Sequence, residues 1–367
     1  MRMKRLFLAG GLLLVGSLSA GVTQVDLLKV EPEIRKVTED LLDDLAAGRI
    51  SRIEAADAAR IMASQTDDEA EAYLLLQGAF RLLVRAGDYA QAAEILRHMR
   101  TREYSVAALV ALARQALEPV SRGVNVGALE VVINDLAAEA VRLRTQWAER
   151  RVESVLSNPL KGFSLARRST VVEGLDGLRR HLPGAATNRV QFIVRCPLFG
   201  TWSEVLPVWT GNVERVRTGG AFLETLCADT EFTIRTHGGI RLATRTLPVV
   251  AGSVWKGTTS ETETQETARL LKRIRIGFAA FDENERLDEA IERLVLTLAD
   301  QDVDSCLDFD LLLRSPPDGR FPLIRTVRAA DSTLYDTLSY LCTAAHCSLA
   351  IRGRWVVVLP TTETLKH

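Results

Sequence analysis

The feature that most constrains this chain is a change of hydrophobic period near residue 188. Upstream, apolar residues recur at spacings of three and four. Downstream they alternate, or run in short β-branched blocks. A 3.6 period buries a stripe along a helix and a period of two buries one face of a sheet, so no single uniform architecture fits both halves. The expected fold class is α+β multidomain: an α-helical region over 30–156, a transitional segment over 157–187, a small α+β unit over 188–247, a polar linker over 248–271 and a second small α+β unit over 272–360. A length of 367 residues suits two or three domains.

The helical region is punctuated by start and stop signals. Ser51 with Glu54, and Thr66 with Glu69, have capping-box spacing, in which a hydroxyl and a glutamate satisfy each other's backbone N–H groups. Asp88 with Gln91 starts another helix just after Gly87, a residue suited to the left-handed end of the one before. These signals predict helices near 32–47, 52–63, 68–85, 89–100, 105–117 and 127–156.

Beyond the breaker-rich stretch containing Pro159, Gly162, Gly174, Gly177, Pro183 and Gly184, where a short helix fits 168–181, strands are expected at 189–195 and 213–217. A short helix is expected at 201–209 and another at 220–230, followed by a hairpin turning at His237-Gly238-Gly239. The run 257–267 (GTTSETETQET) has almost nothing to bury and reads as the polar linker. The last unit reads as a strand at 273–278, a helix carrying Leu287, Ile291, Leu294 and Leu298, strands at 307–313 and 323–329, a helix carrying Leu334, Leu338 and Leu341, and a closing hairpin around Gly353.

The two α+β units match each other. Leu223, Leu226 and Cys227 answer to Leu338, Leu341 and Cys342. Phe232-Thr233-Ile234 answers to Cys347-Ser348-Leu349, and Gly238 to Gly353. Helix, strand, tight turn and strand recur at fixed offsets, as two copies of one unit would.

With its strand, LDEAIERL helix, paired strands, LYDTLSYLC helix and final GRWVVVLP strand, the segment 272–360 resembles the short N-terminal (STN-like) domain shared by secretins and TonB-dependent receptors. The segment 188–247 resembles it less fully. That resemblance implies non-catalytic protein binding in the periplasm. In the helical region, Leu82, Gly87, Asp88, Tyr89, Ala92 and Leu96 resemble a tetratricopeptide-type helical hairpin, with a plain helical bundle as the alternative. A repeat array would offer a groove near Tyr73, Arg81 and Tyr89, and a closing hairpin could present Arg354 and Trp355. These five are the expected partner-binding residues.

Arg2, Lys4 and Arg5, the apolar run Leu6–Leu18 and the small residues Ser19, Ala20 and Gly21 have the order of a secretory signal peptide over 1–21. No cysteine follows that would take a lipid. The expectation is a periplasmic or secreted protein whose mature chain does not insert in a membrane. A formal net charge of −1 provides no field to draw nucleic acid. Five cysteines (Cys196, Cys227, Cys306, Cys342 and Cys347) leave at least one unpaired.

No serine elbow, phosphate loop or dinucleotide fingerprint occurs in the sequence. Cys342, His346 and Cys347 do not have the spacing of a zinc site. No catalytic, cofactor or metal residue is therefore expected. The sequence points to an adaptor or assembly factor binding an envelope protein. The alternatives are an exported hydrolase of unrecognised type and a homo-oligomeric structural component.

Overall fold

The computed structural model describes residues 24–118, 120, 126–166, 168–182, 190–199, 202, 204–209, 216–245, 252–255, 260–301 and 308–361. The expected signal peptide, Cys306 and most of the expected strand at 213–217 lie outside the described residues. The described chain is mixed α and β and divides into two units, 1–142 and 143–367.

The first unit is helical: α1 (Gln24–Val37), α2 (Glu39–Ala46), α3 (Arg52–Gln65), α4 (Glu69–Ala86), α5 (Tyr89–Thr101), α6 (Val106–Leu117) and the first half of α7 (Gly127–Ser157). Ser51 and Glu54 form the expected capping box. Thr66 does not cap α4. Asp68 does, accepting from the N–H groups of Ala70 and Glu71, because a carboxylate at the N-cap reaches both donors and also suits the helix dipole. Gly87 ends α4 at φ +80°, where a side chain would be strained.

Helix α4 is buried almost all round, from Ala70 to Val84, as a helix at the centre of a bundle must be. It packs against α1, α3, α5 and α6. Facing it, α3 buries Ala55, Ala56, Ala59 and Ala63, small residues that permit a close approach. The helical unit ends inside α7, short of the expected boundary at 156. From Leu143 on, α7 belongs to the second unit, where Val152, Val155 and Leu156 are buried.

The second unit adds α8 (Val171–His181), β1 (Gln191–Pro197), β2 (Val205–Pro207), α9 (Gly219–Thr230), β3 (Thr233–His237), β4 (Ile240–Thr244), β5 (Gly252–Val254), α10 (Glu261–Arg273), β6 (Arg275–Phe281), α11 (Leu287–Gln301), β7 (Asp310–Ser315), β8 (Val327–Thr333), α12 (Leu334–Ala344), β9 (Cys347–Arg352) and β10 (Trp355–Pro360). A six-stranded sheet runs in the order β3-β4-β1-β7-β10-β9. Strands β4, β1, β7 and β10 are parallel, and each outermost strand pairs antiparallel with its hairpin mate.

This sheet corrects the expectation of two separate α+β units. Strand β1 of the first copy pairs with β7 of the second, Ile193 opposite Leu311 and Arg195 opposite Leu313. The central strands are near-continuous apolar runs and so need cover on both faces. Helices α8 and α9 cover one face with Phe192, Val194, Leu312, Trp355 and Val357. Helices α10, α11 and α12 cover the other with Ile193, Leu311, Leu313, Val356 and Val358. The two copies are thus related by an approximate two-fold running along the strands between β1 and β7. Thr218 and Thr333, at equivalent positions, both cap their helices through the hydroxyl. The antiparallel bridge Pro159–Thr218 stands where Arg275 pairs Thr333 in the β6–β8 ladder.

Two further expectations are overturned. The described part of 248–271 is not a linker: it holds β5 and the start of α10, whose N-cap Ser260 accepts from Glu263 N–H and whose Leu270 and Leu271 enter the core. Its polar residues are the solvent face of an amphipathic helix. Residues 205–207 are not helical either. They form β2, paired with β5, because β-branched Val205 and helix-breaking Pro207 suit a short ribbon.

Candidate partner-binding surfaces

The five expected residues do not form one site. Tyr73 is buried, edge-to-face with Tyr104 at 5.0 Å, and burial pushes its hydroxyl pKa up to about 12. Arg81 is buried too, donating Nη2–H to Gln115 Oε1 at 3.0 Å. Both are spent inside the helical bundle. Tyr89 is half-buried and lines a shallow groove of about 460 Å3 with Gly87, Asp88 and Val126.

Trp355 and Arg354 belong to a charge cluster in the second unit. Trp355 is buried and donates Nε1–H to Asp176 Oδ1 at 3.1 Å. Arg179 lies 3.5 Å from Asp176 and 2.5 Å from Asp310. Asp310 is fully buried at the start of β7 and also accepts from Phe192 N–H at 2.8 Å. Burial pushes the Asp176 carboxyl up to about 6; Arg179 opposes that shift and Asp310 adds to it. Arg354 reaches a groove of about 390 Å3 walled by Glu263, Glu266, Arg269 and Arg273 of α10.

On the opposite face lies a second cluster. Arg195 leaves β1 toward the first two turns of α11, where fully buried Asp288 and, at 2.9 Å, Glu292 receive it. Arg286 also donates to both oxygens of Asp288, from Nε at 3.2 Å and Nη2 at 3.1 Å. Burial pulls the Arg195 guanidinium below its ordinary value, and Glu292 opposes that shift. Arg235, on edge strand β3, approaches Glu292 at 3.5 Å with most of its side chain exposed. Between this edge and α11 runs a groove of about 400 Å3, walled by Arg235 on one side and Glu289, Arg293, Leu296 and Thr297 on the other, with Arg195 among its lining.

The two sheet edges differ. Beside β9 lies α10, whose Thr264 hydroxyl accepts from Gly353 N–H at 2.8 Å. Among the described residues, strand β3 pairs only with β4, and Thr233, Arg235 and Thr236 are exposed. From Thr233 to Thr236 no described strand pairs with its outward edge, which is the arrangement that can accept an added strand.

Reading the sequence missed Arg195, Asp288, Glu292, Asp176, Arg179 and Asp310. The one signal they left is charge inside otherwise apolar strands, as in QFIVRCP and DLLLRS. The four described cysteines form no disulfide in this structure. Among the described residues, no group of three or more His, Cys, Asp or Glu is arranged to hold a metal ion. No described helix is long and apolar enough to cross a membrane. The chain matches no family model, no curated protein and no solved structure.

Proposed function

We propose that this protein is an exported, non-catalytic adaptor that holds an envelope protein by accepting an extended segment of that partner onto strand β3. The observation that carries this reading is the outer edge of β3 from Thr233 to Thr236, joined by no described strand and lying beside the α11 groove. Strand addition draws affinity from backbone hydrogen bonds and specificity from alternate side chains. Here alternate side chains of an added strand meet Arg235, Arg293, Glu289 and Leu296, a wall suited to a mixed polar and apolar segment. The buried ion pairs around Arg195 and Asp310 lock the helices against the sheet, so the edge is presented by a rigid body.

Proline substitution tests the reading, since it deletes one N–H donor. Thr233→Pro and Thr236→Pro have opposite parity along β3, so one removes an outward donor and the other an inward one. Tagged protein is recovered from cross-linked envelopes, and circular dichroism checks that each variant is folded. The expected result is loss of the co-purifying envelope protein with one proline variant that keeps its fold. Undiminished recovery with both variants contradicts strand addition at β3.

A further inference from the structure

We propose that Cys342 and Cys347 are a disulfide pair, closed when the chain folds in an oxidising medium, that staples the end of α12 to the start of β9. After α12, Ala345 N–H donates to Leu341 O at 3.1 Å and Cys342 O at 3.2 Å. His346 then takes a left-handed conformation, φ +51°, and donates to Thr343 O at 3.2 Å. This is the helix ending in which the residue after the left-handed position folds back onto the last helical turn. That residue is Cys347, and in such endings it lies against the position that Cys342 occupies. Both side chains are buried in the same core cluster, 2% and 6% exposed. Burial raises the Cys342 thiol pKa, and Cys347 adds to that shift.

The internal duplication provides a built-in comparison. The first copy also ends its helix at a left-handed residue, Glu231 at φ +58°. There the equivalent residues are Cys227 and Phe232, and Phe232 is buried. The turn therefore does not require a second cysteine, and an aromatic ring fills more of the core than a thiol. What a second thiol adds is the capacity for a covalent bond.

The chemistry is thiol–disulfide exchange with a small-molecule or protein disulfide as oxidant. One cysteine thiolate attacks the oxidant, breaking its sulfur–sulfur bond and releasing one thiol. The other cysteine thiolate then attacks the mixed disulfide, forming the Cys342–Cys347 bond and releasing the second thiol. Two cysteines are oxidised, one disulfide is reduced, and the two cysteine protons end on the released thiols. In the folded chain, burial pushes both thiols up, Cys347 to about 12. Little thiolate forms there, so the exchange belongs to folding, before the core closes.

Closure in the cell rests on the export reading. The chemistry does not, so the two can fail separately. The test is to refold the reduced, denatured full-length protein in a glutathione redox buffer and map its peptides by mass spectrometry. The expected product is one tryptic peptide containing both cysteines, two hydrogens lighter than its reduced form. Amides in the last turn of α12 and the start of β9 should exchange more slowly than in the reduced protein. Cys347→Phe, which copies the first repeat, should fold with no redox dependence of that exchange, whereas Cys227→Ala should keep the bond. The proposal is overturned if both cysteines stay alkylatable after refolding, or if the link joins either to Cys196, Cys227 or Cys306.

Discussion

Among single residues, Asp176 reports most sharply on the interior of the second unit. Its carboxyl titrates at about 6 instead of the ordinary 3.8, because burial disfavours the charged form. A raised carboxyl binds its proton more tightly in the folded chain than in the unfolded one. The stability it contributes is therefore fully present below about pH 4 and lost as pH rises through 6. Urea unfolding of wild type and Asp176→Asn across pH 3.5 to 7 should show the wild type losing ground to the variant between pH 4 and 6. Parallel profiles would place this carboxyl in a solvated site. Most of these buried charges were hidden from a reading of the sequence because their partners are remote. Trp355 meets Asp176, and Arg195 meets Glu292, across very long separations, which no local spacing encodes.

Among elements, legibility followed the strength of local chemistry. Ser51–Glu54 and Asp88 fixed helix starts closely, because each satisfies backbone donors using near neighbours. The central strands were legible because burial on both faces demands unbroken apolar runs. Helix α10 was misread: its first two turns, from Glu261 to Glu266, are polar, and only Thr267, Leu270 and Leu271 are buried. A stripe that begins late in a helix leaves no period to detect in its first half. Leu271 is fully buried against the sheet, so Leu271→Ala should destabilise the unit by about 2–5 kcal/mol. Chemical denaturation measures this directly, and a cost near zero would restore the linker reading. In the helical unit, Ser51→Ala should cost about 1 kcal/mol through loss of its cap, read as a lower urea midpoint at unchanged slope.

At the scale of the molecule, the repeat was visible in the sequence as Leu-x-x-Leu-Cys twice over, but its consequence was not. Two copies could make two domains or one, and the choice depends on whether β1 and β7 find each other. They do, through a parallel ladder from Ile193–Leu311 to Pro197–Ser315. Neither copy then has a complete core alone, since Leu312, Trp355 and Val357 of the second copy cover α8 and α9 of the first. Fragments 188–247 and 272–360 expressed singly should be unfolded by circular dichroism and by proton NMR dispersion, while 143–361 should fold. A single fragment with native dispersion would mean that the copies are independent after all. Fusion of the copies also leaves the sheet with two outer strands, of which β9 has α10 packed beside it.

The most direct measurement places a photo-cross-linking amino acid at Arg235 or Thr236 on β3, and as a control at exposed Tyr340 on α12, in cells producing the full-length chain. The account predicts an adduct of defined mass with one envelope protein from the β3 positions and none from Tyr340. Adducts from Tyr340 with none from β3 would contradict it.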